Sequence, residues 1–180
     1  MIRKISIRLL VFLAIFFLFG SSSGGDELLL KAGIQPIKAV KSAPDFRLDR
    51  LNSKKVELRE FRGKVVLLNF WATWCGPCKE EMPSMEALYQ LYKEKDFTLV
   101  AISVDYEGVR PVKEFIEKQR YTFPVLLDPN SETLDPFGVK GIPTTFVIDK
   151  KGRIVGRVVG PKDWKKPEVL SLLDKLLLEK

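Results

Sequence analysis

The chain begins with a basic stretch followed by an uninterrupted apolar run. Leu9 to Phe19 are all apolar; Arg3, Lys4 and Arg8 precede them, and Gly20-Ser21-Ser22-Ser23-Gly24-Gly25 follow. Such a run leaves no polar face for an amphipathic core helix. The order basic, apolar, small is that of an export signal. It falls short of the ~20 residues that span a bilayer comfortably, so residues 1–25 read as a signal peptide or a retained membrane anchor. Either way the basic residues favour an N-terminus that stays inside. Residues 26–43 hold one Leu28-Leu29-Leu30 cluster, then Gly33, Pro36 and several lysines, and read as a linker.

Regular patterning starts at Pro44. Phe46-Arg47-Leu48 and Lys55-Val56-Glu57-Leu58 alternate apolar and polar about Asn52-Ser53, which predicts a β-hairpin. Val65 to Phe70 and Phe97 to Val104 are near-continuous aliphatic and β-branched runs, as strands buried on both faces require. Between them Met82, Met85, Leu88, Tyr89 and Tyr92 recur at helical spacing. Val112, Phe115 and Ile116 mark a second helix with Pro111 in its first turn, and Val125 to Leu127 a short strand. Thr144 to Ile148 and Arg153 to Val159 flank Asp149-Lys150-Lys151-Gly152, a hairpin turn with glycine where φ must be positive. A closing helix from about Trp164 carries Leu170, Leu173 and Leu177. Strands alternating with helices and ending in a hairpin give one α/β domain, residues 44–180, with a mixed central sheet.

Composition narrows the chemistry. The chain has no histidine, which removes Cys-His and Ser-His-Asp catalysis and every His-ligated metal site. Its two cysteines cannot build a four-cysteine zinc or iron–sulfur site. Lys79 follows Cys78, so the haem-attachment pattern Cys-x-x-Cys-His is absent too. No metal and no cofactor is expected. Net charge is +7, with Arg3, Lys4 and Arg8 in the leader and alternating signs elsewhere, as in Lys93-Glu94-Lys95-Asp96. A nucleic-acid footprint needs basic clustering, which this pattern lacks.

The remaining chemistry lies in Trp74-Cys75-Gly76-Pro77-Cys78, between a buried strand and an amphipathic helix. That position puts Cys75 at a helix N-terminus, where free N–H groups and the helix dipole stabilise a thiolate. Thiol pKa values in such motifs fall from about 8.5 toward ~7. Cys78, three residues on, is placed to attack a mixed disulfide formed at Cys75. Pro77 occupies the first turn, where its missing N–H costs nothing. A purely structural disulfide is the competing reading, but so small a loop stabilises by only about 2 kcal/mol on the chain-entropy account.

The segment Asn69-Phe70-Trp71-Ala72-Thr73-Trp74-Cys75-Gly76-Pro77-Cys78-Lys79, with Gly141-Ile142-Pro143-Thr144-Thr145 downstream, resembles the thioredoxin-like superfamily. The resemblance is greatest to its exported TlpA/ResA-type branch, related to the redoxin group. It implies a thioredoxin-like fold with an added N-terminal hairpin (44–58) and a mid-domain helix and strand (about 109–127). It implies thiol–disulfide oxidoreductase activity in the periplasm or on the outer face of the cytoplasmic membrane. The partners implied are protein disulfides, such as those of apocytochrome c, and a membrane thiol donor of the CcdA/DsbD type. By the same resemblance Pro143 is a cis proline, and Ile142 and Pro143 bind substrate beside Cys75, with Trp74 as an apolar flank and Trp71 in the core. Thioredoxins proper carry a buried Asp where this chain has Asn69. In the TlpA/ResA-type branch a Glu one turn after the second cysteine takes the proton role, and Glu81 matches it; the alternative is that Glu81, like Glu80, only favours the helix start. A peroxidase of the peroxiredoxin type would want Pro-x-x-x-Thr-x-x-Cys, and here Thr73 is two residues before Cys75 with no suitable proline upstream. A non-catalytic binding module would not need both cysteines.

Overall fold

The computed structural model describes residues 23–51 and 54–179. Residues 1–22, most of the leader segment, and the hairpin tip Asn52-Ser53 lie outside them. Among the described residues no helix is long and apolar enough to cross a membrane.

In chain order the elements are α1 (Ser23–Lys31), β1 (Gln35–Ser42), β2 (Arg47–Arg50), β3 (Lys55–Glu57), a 3-10 turn (Leu58–Phe61), β4 (Val65–Trp71) and α2 (Gly76–Tyr92). After these come β5 (Phe97–Ser103), α3 (Val109–Gln119), β6 (Val125–Leu127), α4 (Leu134–Phe137), β7 (Thr144–Ile148), β8 (Arg153–Val159) and α5 (Pro167–Leu178). The strands form one sheet in the order β1-β8-β7-β4-β5-β6-β2-β3. β4, β5 and β6 are parallel neighbours, and the remaining pairs are antiparallel.

Every residue of β4 and β5 is buried, as their apolar runs required. Alternation along β4 then divides the core. Val66, Leu68 and Phe70 face a layer made by Phe46, Leu48, Leu58, Phe137 and Val139. Val65, Leu67 and Trp71 face the layer of α1, α2, α3 and α5. Asn69 shares that second parity, so the strand delivers one polar side chain beneath α2. The turn between β7 and β8 is built by Asp149 and by Gly152 at φ 72°, the left-handed conformation that favours glycine.

Two sequence expectations need correction. Residues 26–43 are not a linker: α1 and β1 dock on the domain. Leu29, Ala32 and Ile34 enter the core, and β1 pairs antiparallel with β8. Pro36 is tolerated because β1 is an edge strand. The close approach is possible because Gly156 of β8 has no side chain; a Cβ there would lie 2.6 Å from Ile34 Cγ2 and 2.9 Å from Leu29 Cδ2. The second correction concerns the closing helix, which begins at Pro167 rather than Trp164. Its fully buried stripe is Val169, Leu172, Leu173 and Leu176, with Leu170 and Leu177 at the rim.

Candidate functional site

Cys75 caps the N-terminus of α2 in extended conformation, with Pro77 in the first turn. Cys75 and Cys78 are joined by a disulfide, so this is the oxidised state. The Cys78 N–H donates to Cys75 Sγ at 3.2 Å, one of the free amides that a helix start supplies. Cys78 is fully buried, whereas Cys75 retains 6% exposure and is the more accessible of the two. Trp74 stands beside it, 57% exposed. Trp71 is fully buried, with its ring 5.4 Å from that of Phe115.

The loop carrying the motif is anchored from β5. Asp105 accepts the Thr73 N–H at 3.0–3.1 Å and takes further hydrogen bonds from the hydroxyls of Thr73 and Ser103. The sequence reading missed Asp105, which sits 30 residues from the motif and meets it only because β4 and β5 end side by side.

On the other side lies the β7 segment. The Ile142–Pro143 peptide bond is cis, and Cys75 Sγ lies 3.9 Å from the Ile142 carbonyl oxygen. Tertiary structure thus brings Trp74, Cys75, Ile142 and Pro143 to one edge of the molecule, with the backbone of Ile142 next to Cys75 Sγ.

Glu81 takes the opposite, inner position. It lies on the buried face of α2, 3% exposed. One carboxylate oxygen accepts Asn69 Nδ2–H at 2.9 Å; the other accepts Trp164 Nε1–H at 3.0 Å and Lys162 N–H at 3.1 Å. Asn69 also donates to Thr145 Oγ1 at 2.9 Å, its register partner on β7. Loss of hydration raises the Glu81 pKa from 4.5 to about 7, opposed by the hydrogen bonds from Trp164, Asn69 and Lys162. A carboxyl group poised near neutrality can accept and return a proton at working pH. Glu80, its neighbour, is exposed. Nothing in the sequence pattern marked Trp164, Lys162 or Thr145 as companions of Glu81; pairing of β4 with β7 is the one signal that could have found Thr145.

Three comparisons bear on this arrangement. Residues 38–173 match the family model described as Redoxin. The chain is 43% identical over 120 residues to thiol-disulfide oxidoreductase ResA of Bacillus thuringiensis subsp. konkukian, covering 67% of this chain and 69% of that one. It is 36% identical over 152 residues to ResA of Halalkalibacterium halodurans, covering 84% and 82%. Among solved structures, a thiol:disulfide interchange protein of the thioredoxin family from Chlorobium tepidum superposes with a TM-score of 0.68 at 30% identity, covering 78% of this chain and 99% of that one. StoA from Bacillus subtilis does so with a TM-score of 0.62 at 25% identity, covering 72% and 97%.

Proposed function

The chain belongs to the redoxin family as a thiol–disulfide oxidoreductase of the ResA type, and from that premise we propose that it reduces protein disulfides outside the cytoplasm. The observation that carries the reading is the Cys75–Cys78 disulfide at the start of α2, open at Cys75 and backed by buried Glu81. In the reduced protein the Cys75 thiolate attacks a substrate disulfide. A Cys75–substrate bond forms, the substrate S–S bond breaks, and the departing sulfur takes a proton. Cys78 then gives its proton to Glu81 and attacks Cys75 Sγ, and the second substrate sulfur leaves as a thiolate that takes a proton from water. Two electrons have passed to the substrate, and the disulfide seen here remains. A membrane dithiol donor of the CcdA/DsbD type returns the protein to its reduced form, and Glu81 returns the proton.

Trp74 supplies an apolar contact for substrate, and the backbone N–H and C=O of Ile142, held by Pro143, pair with an extended substrate segment by β-augmentation. Apocytochrome c disulfides before haem attachment are one substrate of this class. Export rests on the basic and apolar segment before residue 20. Fusing residues 1–30 to a reporter tests it: the reporter crosses the membrane, and one that stays cytoplasmic refutes export.

The direction of flow follows from what surrounds the sulfurs. Strong oxidants stabilise their thiolate far beyond thioredoxin's. Gly76 and Pro77 add no cation or side-chain donor, and Lys79 is exposed and solvated. The couple therefore lies nearer thioredoxin's ~−270 mV than DsbA's ~−120 mV. Equilibration with glutathione measures it, and a value more positive than about −180 mV makes the protein an oxidant or isomerase instead.

A further inference from the structure

Glu81 owes its surroundings to a part of the chain that the redox motif does not include. After β8 the backbone turns at Gly160, at φ 92°, whose N–H donates to the Pro143 carbonyl at 2.8 Å. The following residues lie against α2. Ser84 Oγ accepts the Trp164 N–H at 3.0 Å and donates to the Glu81 carbonyl at 2.7 Å. The indole is fully buried, and its Nε1–H reaches the Glu81 carboxylate. Backbone and side chain of one tryptophan are thus both fastened to the same turn of α2.

We propose that Trp164 is a positioning residue for the thiol–disulfide exchange, keeping the buried Glu81 carboxylate available as a base. The inference rests on the reading of Glu81 as the proton acceptor for Cys78. Three donors hold the carboxylate, and they differ in what they do when it takes a proton. Lys162 contributes a backbone N–H. Asn69 can serve either state, because its Oδ1 is buried without a partner among the described residues. A half-turn of its amide presents that oxygen to a carboxylic O–H. Indole is a donor only. Trp164 is therefore the side chain that favours the anion, because its N–H binds a carboxylate more strongly than the carbonyl oxygen of the neutral acid and it cannot accept the acid's O–H.

Other charges do not replace it. The titratable groups around Glu81 are Cys78 and Glu80 on α2 and Lys162, Asp163 and Lys165 on the loop; β4 and β7 present Asn69 and Thr145, which do not titrate in this range. Glu80, Lys162, Asp163 and Lys165 line an open cleft of about 420 Å³ with Glu81 and Ser84; Glu80, Asp163 and Lys165 are exposed, where solvent screens them, and Lys162 is half-buried. The Lys162 ammonium lies 5.9 Å from the Trp164 ring centroid. The same cleft reaches Glu81 from the solvent side, and no substrate-facing residue lines it.

The test is the pH dependence of single-turnover reduction of insulin by the reduced protein. Trp164→Phe moves the midpoint upward by about one pH unit, which slows turnover roughly tenfold below it and leaves the high-pH plateau in place. In a Glu81→Gln background the same substitution moves no midpoint. A uniform loss at all pH values, with the midpoint unmoved, makes Trp164 a packing residue and overturns the inference. Should Trp164→Phe fold poorly, the wild type answers alone. The indole N–H resonance of Trp164 shifts with the kinetic midpoint and stops shifting in Glu81→Gln; a resonance flat with pH overturns the inference. If Glu81→Gln leaves the kinetic midpoint where it was, the reading of Glu81 itself has failed, and the role of Trp164 with it.

Discussion

Two stretches of chain meet at Glu81 and are built in different ways. The β4–α2 junction, residues 69–81, is local: a buried strand ends, Cys75 caps a helix, and Cys78 and Glu81 follow one turn apart on its inner face. The β8–α5 loop, residues 160–166, is about 80 residues away and carries no motif, yet it gives two of the three hydrogen bonds to the Glu81 carboxylate. The first stretch needs only helix geometry to put its sulfurs in order. The second matters because burial leaves a carboxylate dependent on whatever donors the fold brings. In the proposed mechanism, reactivity at Cys75 is therefore a property of the junction, and proton handling behind it a property of the contact between the two.

The largest effect separates the sulfurs within the junction. Cys75→Ser abolishes insulin reduction and traps no partner, whereas Cys78→Ser accumulates mixed disulfides through Cys75, read on non-reducing gels. Trapping through Cys78 alone would reverse the assignment. The next tests whether the contact matters at all. Glu81→Gln slows turnover about 100-fold near pH 7 and removes the pH midpoint, while Glu80→Gln does neither. If both behave as wild type, the junction suffices by itself.

A third prediction concerns stability. The pKa of Glu81 in the folded protein, about 7, lies above its usual 4.5, so the folded state releases this proton later than the unfolded chain. Ionising Glu81 in place destabilises the folded protein: the penalty is absent below about pH 4.5 and complete above about pH 7, roughly 3 kcal/mol in all. Urea unfolding of the oxidised protein at pH 4 and pH 8 should show wild type losing that much more than Glu81→Gln between the two. Equal losses would mean that the carboxylate is fully compensated where it sits. The smallest effect returns to the junction. Lys79→Ala should shift the reduction potential by less than about 20 mV, because an exposed ammonium stabilises the thiolate weakly. A larger shift would give the solvent face of α2 a part in setting the potential.

Much of the architecture was legible because it rests on patterns of short range. The runs at 65–70 and 97–104 could be satisfied only by burial on both faces, and β4 and β5 are buried throughout. The 3.6-residue spacing from Met82 to Tyr92 matched α2, and Asp149 to Gly152 matched its turn. Residues 26–43 misled because Pro36 and the lysines speak against a strand, and the pairing that overrides them comes from β8. Trp164 misled in another way. The closing helix reads as starting there, but the tryptophan's N–H groups go to Ser84 and Glu81, so the helix starts later.

By itself the sequence singled out the cysteine pair as the candidate reacting atoms. The spacing of Cys75 and Cys78, their place between strand and helix, and the lack of histidine leave thiol–disulfide exchange as the chemistry, since these depend on neighbours within one helical turn. Only the tertiary structure decided what surrounds them. That Asn69 and Glu81 share a face with Trp164, that Ile142 lies against Cys75, and that the first strand closes the sheet at Gly156 are contacts between distant segments. Such contacts follow from how whole layers pack, and no local pattern encodes them.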